Sequence, residues 1–137
     1  MDTGAGPADE PAEGADAAGV GLSYRQAVEE AIGLLNGRWV AAVLTAVAMR
    51  PLHFVDLLGE INAIEERMGR RTHERPLSGK VLSRTLQRVE REGLVVRHQD
   101  PAPHPSVWYE ITPAGRALLG ALRPLAEWTQ RFRADEP

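Results

Sequence analysis

Residues 78–112 constrain the fold of this chain more than any other stretch: an amphipathic helix pattern, two strand patterns behind it, and a proline-studded tip between the strands. The helix reads from Ser78 to about residue 92 and is followed by Gly93. The Ser78 hydroxyl is suited to cap it by accepting from an orphan backbone N–H of the first turn, and Gly93 suits the left-handed residue that closes a helix. At about 100° per residue, Val81, Leu82, Thr85, Leu86 and Val89 fall on one side, and Lys80, Ser83, Arg84, Gln87 and Arg91 on the other. The second face combines cations with an amide and a hydroxyl, which is the chemistry that holds phosphates and reads base edges in a major groove.

Two β-branched or alternating stretches follow, at 94–99 and 107–112. Asp100-Pro101-Ala102-Pro103-His104-Pro105 separates them and cannot pair regularly, because each proline lacks a donor. Helix, strand, stiff tip and strand make a helix followed by a β-wing, about residues 94–112.

The charge distribution supports this reading. The whole chain carries a formal −3. Residues 1–22 hold Asp2, Asp9, Glu10, Glu13 and Asp16 with no Lys or Arg, so the remainder is +2. Within residues 67–97, nine Lys and Arg stand against Glu74, Glu90 and Glu92, a local +6. Phosphate binding responds to charge within a Debye length, roughly 8–10 Å, so the local balance outweighs an overall pI of 5.8.

Ahead of the cationic helix, residues 1–22 offer hardly an apolar side chain larger than alanine and are expected to form a disordered acidic tail before one folded domain at 23–137. Ser23 is expected to cap a helix with Val28, Ala31, Ile32 and Leu35 as its stripe, broken at Asn36-Gly37. The next helix, Arg38 to about Met49, is apolar nearly all round, as a central core helix is, and Pro51 ends it. A short helix covers roughly His53 to Ile61; the polar, basic stretch 62–76 follows, with room for an extra helical turn. A helix over 113–133 closes the chain, with Leu118, Leu122, Leu125, Trp128 and Phe132 in a stripe and Pro124 inside it as an expected kink or weak point.

Several classes fall away. Without cysteine there are no disulfides, thiolate metal sites or thiol chemistry. Catalytic residues are expected to be none, because the four histidines are scattered and no phosphate loop or nucleophile elbow is present. No cofactor and no metal is expected; His98, Asp100 and His104 read as wing residues rather than ligands. No apolar run approaches the ~20 residues of a membrane span, and no signal-peptide pattern starts the chain, so a cytoplasmic protein is expected.

The assembled motifs resemble the HxlR-type winged helix-turn-helix regulators, distant relatives of the MarR-type repressors. Asn36-Gly37-Arg38-Trp39 resembles the family's turn into the second helix, and His53-Phe54-Val55-Asp56-Leu57 the start of its helix-turn-helix. Ser78 to Leu86 is similar to its recognition helix, and Glu90-Arg91-Glu92-Gly93-Leu94-Val95 to its turn into the wing. Pro105 to Arg116 and Leu125-Ala126-Glu127-Trp128 complete the order. The resemblance implies a mostly α fold with a small β-wing, acting as a homodimeric, sequence-specific transcriptional regulator, expected to be a repressor, that binds an inverted-repeat operator in double-stranded DNA. Its first and last helices would dimerise through Val28, Ile32, Leu35, Leu118, Leu122, Leu125, Trp128 and Phe132. DNA contacts are expected from Ser78, Lys80, Ser83, Arg84, Gln87, Arg88, Arg91, Arg97, His98 and His104, with Arg88 directed at a phosphate. A small-molecule effector of unknown identity is allowed, and Trp39, Trp108 and Trp128 are as readily core or seam residues as pocket walls.

Two departures accompany the resemblance. Many of these regulators carry a sensing cysteine at a place that falls near Gln26, and this chain has no thiol. The 62–76 segment is also longer than the usual turn between the two helix-turn-helix helices. The competing reading is a winged-helix protein-interaction module that no longer binds DNA.

Overall fold

The structure, a computed structural model, describes residues 17–69, 73–101, 103 and 106–133. The chain divides after Asn36 into two compact units. In the first, Ala17–Leu35 form helix α1. Ser23 therefore lies inside a helix rather than capping one, and the expected tail at 1–22 lies outside the described residues as far as residue 16. No proline stands between Pro11 and Pro51, so nothing in the sequence halts the helix at residue 23. Arg25 Nε donates to Glu29 Oε2 at 3.1 Å across one turn.

The second unit is organised around α2, Val40–Met49, whose Val40, Val43, Leu44, Ala46 and Val47 are all buried. Against it pack Leu57 and Ile61 of α3 (Phe54–Arg67) and Leu82, Leu86 and Val89 of α4 (Gly79–Arg91). The sheet adds Leu52 of β1 (Leu52–His53), Val95 of β2 (Val95–Gln99), and Tyr109 and Ile111 of β3 (Val107–Ile111). Its order is β1-β3-β2, antiparallel, with Leu52 opposite Tyr109 and Arg97 also opposite Tyr109. The wing is thus joined by a third short strand.

Helix α3 runs beyond the expected end near Ile61 to Arg67, because Ile61, Ile64 and Glu65 continue its inward stripe and no breaker occurs before Gly69. Residues 73–77 return to the core as a strap, with His73 and Leu77 buried. Asn62 holds the strap bidentately: its Nδ2 donates to Leu77 O at 2.9 Å and its Oδ1 accepts from Leu77 N at 2.7 Å. Ser78 comes next and caps α4, its Oγ accepting from Val81 N at 3.2 Å.

At its other end α4 closes on Gly93, whose φ of 78° is open to glycine at no steric cost. Leu94 N donates back to Val89 O at 2.8 Å and Gly93 N to Glu90 O at 2.9 Å, satisfying carbonyls that the helix end would orphan. Thr112 then joins the wing to the last helix, α5 (Pro113–Arg133). Its Oγ1 donates to Gly93 O at 2.7 Å and accepts from Gly115 N at 3.0 Å. Helix α5 continues through Pro124. Leu118 and Leu119 pack on the core, whereas Leu125, Trp128 and Phe132 are exposed.

Gly115 is buried where the first turn of α5 meets the α4–β2 turn and β3: a Cβ there would overlap Leu94 O and stand 2.8 Å from Ile111 Cγ1. Gly120, on the same helix, has nothing within 4 Å of its Cβ position. Gly115→Ala should therefore destabilise the fold by about 1–3 kcal/mol, while Gly120→Ala should stabilise it by roughly 0.5–1 kcal/mol through helix propensity. Urea unfolding of the two variants checks both signs.

Candidate nucleic-acid interface

Burial decides which face of α4 is available. Leu82, Leu86 and Val89 are within 1% of full burial, and Lys80, Ser83, Arg84, Gln87 and Arg91 are all exposed, as the helical period predicts. Thr85 lies between the faces and turns its hydroxyl back to Val81 O at 2.9 Å. The cationic row thus stands on a helix whose underside is locked into the core and whose start is fixed by the Asn62 clamp.

Arg88 sits differently from its neighbours. It is half-buried, and its guanidinium lies over Gly37, where an added Cβ would collide with it and stand 2.7 Å from Val40 Cγ2. This close approach explains the glycine before Arg38-Trp39: the residue leaves room for an arginine that braces α4 against the turn into α2. Arg88 thus lies on the flank of α4, as its expected role at a phosphate from the side of the helix requires, and not in the outward row.

The wing separates two residues that the sequence grouped together. Strand side chains alternate, so Arg97 and His98 face opposite ways. Arg97 lies with Ser83, Gln87, Glu90, Val55 and Tyr109 around a groove of about 470 Å³ between α4 and the wing. His98 turns to the far face, stacks on Trp108 with centroids 4.1 Å apart, and meets Glu110 Oε1 at 3.0 Å through Nε2. His104 lies outside the described residues. Val55 and Glu90 in the groove, and Arg38 and Arg75 beside Ser78 and Arg84 at the other end of α4, were missed by a reading along single helices. Val55 carried a signal, an apolar side chain off the inward stripe of α3; it is 76% exposed.

Asp100 pins the base of the wing tip. Its carboxylate accepts from Ser106 Oγ at 2.6 Å and Trp108 Nε1 at 3.1 Å, and faces His53 Nε2 at 3.4 Å. Its backbone N–H donates to Ser106 O at 2.8 Å. One side chain therefore ties both wing strands to His53, the residue just before α3. The Ser106 hydroxyl first, then His53, hold its carboxyl below the ordinary value of 3.8. Among the described residues no group of three or more His, Cys, Asp or Glu could hold a metal ion, and no single helix is long and apolar enough to cross a membrane.

Residues 34–137 match the model of the HxlR-like helix-turn-helix family. The chain belongs to this family. It is 31% identical to the HTH-type transcriptional regulator YvaP of Bacillus subtilis (strain 168), over 76% of this chain and 84% of the relative. It is 29% identical to an HTH-type transcriptional regulator of Methanothermobacter thermautotrophicus, over 82% of this chain and 76% of the relative. The crystal structure of a MarR-family transcriptional regulator from Enterococcus faecalis V583 shares the fold, with a TM-score of 0.65 at 24% identity, covering 82% of this chain and 90% of that one. This HxlR-like protein is thus a transcriptional regulator of the winged helix-turn-helix type.

A carboxylate whose folded pKa is depressed adds stability above its unfolded value and loses it as pH falls through the folded one. The Asp100 contribution should accordingly be complete near neutrality and disappear on acidification below the ordinary carboxylate range. Denaturant midpoints measured between about pH 6 and pH 3 should fall less steeply for Asp100→Asn than for the parent. Parallel curves would show that the wing anchor is not coupled to this proton.

Proposed function

We propose that the protein represses transcription by binding an inverted-repeat operator in double-stranded DNA as a homodimer, with α4 in the major groove. The observation that carries this reading is the exposed row Lys80, Ser83, Arg84, Gln87 and Arg91 on a helix with a buried underside. Arg84 and Gln87, at the centre of that row, are the residues assigned to base edges; Lys80 and Arg91 hold phosphates at its ends. Arg97 extends the contact from the wing side of the same groove. Ser78 contributes by fixing the first turn, and Arg88 by bracing the helix. A symmetric dimer would present its two copies of α4 to successive major grooves, ~34–36 Å apart or a multiple of that.

Competition between an operator duplex and a scrambled one at fixed salt tests the assignment. Arg84→Ala and Gln87→Ala should each cost ~1–3 kcal/mol at the operator and relax base preference. Arg91→Ala should weaken both duplexes alike and lower the slope of log K against log salt by about 0.9, the value of one phosphate contact. Equal losses on both duplexes for Arg84→Ala and Gln87→Ala would leave an electrostatic face without base reading. No salt-dependent retention at all would favour the interaction-module alternative.

The proposed dimer seam draws on α5, where Leu125, Trp128 and Phe132 are 56%, 49% and 59% exposed, and on α1, where Val28 and Ile32 are exposed too. Leu122 continues the α5 row inward, and Leu35 closes the α1 row. Three large apolar groups in register on one helix face are more than a surface leaves uncovered without cause. Converting Leu125 and Trp128 together to Asp should give a monomer by light scattering, with DNA affinity reduced through loss of the second half-site. An intact dimer would place the seam elsewhere.

A further inference from the structure

The first turn of α3 brings an aliphatic side chain beside the outward row of α4. At about 100° per residue, Val55 stands roughly 200° from Leu57, so the helix that buries Leu57 turns Val55 outward. A lone exposed aliphatic residue is ordinary on a protein surface, and exposure alone assigns it nothing. Position singles this one out. Val55 lines the same groove as Ser83 and Gln87, which stand one turn apart on the exposed face of α4. Its place is also fixed from two sides. Phe54, the residue before it, packs on the core and reaches the start of α4, its Cε2 4.0 Å from the position a Gly79 Cβ would take. His53, one residue earlier, faces the Asp100 carboxylate at the base of the wing tip, Nε2 to Oδ2 at 3.4 Å.

We propose that Val55 reads the 5-methyl group of a thymine in the operator half-site, in the base pair met by Gln87 or in the one beside it. Among the groups that base pairs present in the major groove, the donors and acceptors are polar and the thymine methyl is apolar. An aliphatic side chain held against base edges therefore discriminates by that methyl. Gln87 favours the same pair, because a glutamine amide bonds adenine bidentately and the complement of adenine is thymine. Glu90 lines the groove as well, and its carboxylate would repel a phosphate brought beside it, whereas a base edge carries no net charge. Phosphates fall instead to Lys80 and Arg91 at the ends of the row and to Arg97 on the wing. The assignment rests on the DNA-binding reading and deepens it: Val55 adds base preference to a contact whose affinity comes from the cations.

The test uses the full chain and a duplex that it selects from a random-sequence pool. Replacing a thymidine by deoxyuridine at equivalent places in both half-sites removes one methyl from each and leaves every charge and hydrogen-bonding group in place. At a position within one base pair of that where Gln87→Ala relaxes base preference, the replacement should weaken binding about fourfold per half-site, the worth of one methyl-sized group taken from water. Val55→Ala should bind the thymidine duplex more weakly by at least that factor and be indifferent to deoxyuridine at that position alone. Its slope of log K against log salt should equal the parent's, since no phosphate contact is lost. Its thermal midpoint should not fall below the parent's, because the side chain is exposed. Equal losses for Val55→Ala on the thymidine and deoxyuridine duplexes would put the side chain on the sugar–phosphate backbone and overturn the assignment. A selected half-site without thymine, or coupling at a pair remote from that of Gln87, would overturn it too. Selection of no duplex at all would bring down the DNA-binding reading and the assignment with it; selection without coupling brings down the assignment alone.

Discussion

The constraint on which the rest depends is the burial of one side of α4. Leu82, Leu86 and Val89 are sealed against α2, and a helix fixed along one side can present only the complementary side to a partner. Removing three large aliphatic side chains from water is worth roughly 1.5–3 kcal/mol each, far more than any exposed ion pair on the same helix. Rotation of α4 about its axis is therefore costly. Its cationic row is held in place by apolar packing and not by the charges themselves.

Much of this was readable in the sequence, because the strongest signals there are periodic. The outward row of α4, the apolar ring of α2 and the parity of the wing strands follow from side-chain spacing, and the structure places Lys80, Ser83, Arg84, Gln87 and Arg91 on the exposed side as spacing requires. Capping was readable at Ser78 and Gly93 for the same reason, since each acts on atoms a few residues away, but not at Ser23, which lies inside α1, nor at Thr112, whose partner Gly93 is 19 positions back. Periodicity along one element says nothing of what another element brings beside it. Arg88 lies over Gly37, 51 positions earlier in the chain, and Asn62 finds Leu77 across an irregular strap.

The wing shows the same boundary between local and distant information. Alternation alone would have split Arg97 from His98, yet their shared position in a basic strand made them look equivalent. The assignment of His98 depends on Trp108 and Glu110 across the sheet, contacts that register determines. Asp100 reads from sequence as a turn residue before proline. In the fold it is the fastening between the wing and the start of α3, because His53, Ser106 and Trp108 converge on one carboxylate.

The junction at Thr112 has a geometric consequence. Its hydroxyl bonds the end of α4 and the first turn of α5 together, and Gly115 lets the helix sit directly on Leu94 O. Helix α5 has 21 residues and so is about 31 Å long. Hinged at that seat, it acts as a lever: a tilt of roughly 5° would carry its far end almost 3 Å, close to the ~3.4 Å step between stacked base pairs. In the proposed dimer, joined at the far ends of such levers, the distance between the two copies of α4 would depend on the stiffness of this threonine–glycine seat. Under that proposal, tolerance of an operator one base pair too long or too short would fall in part to this seat.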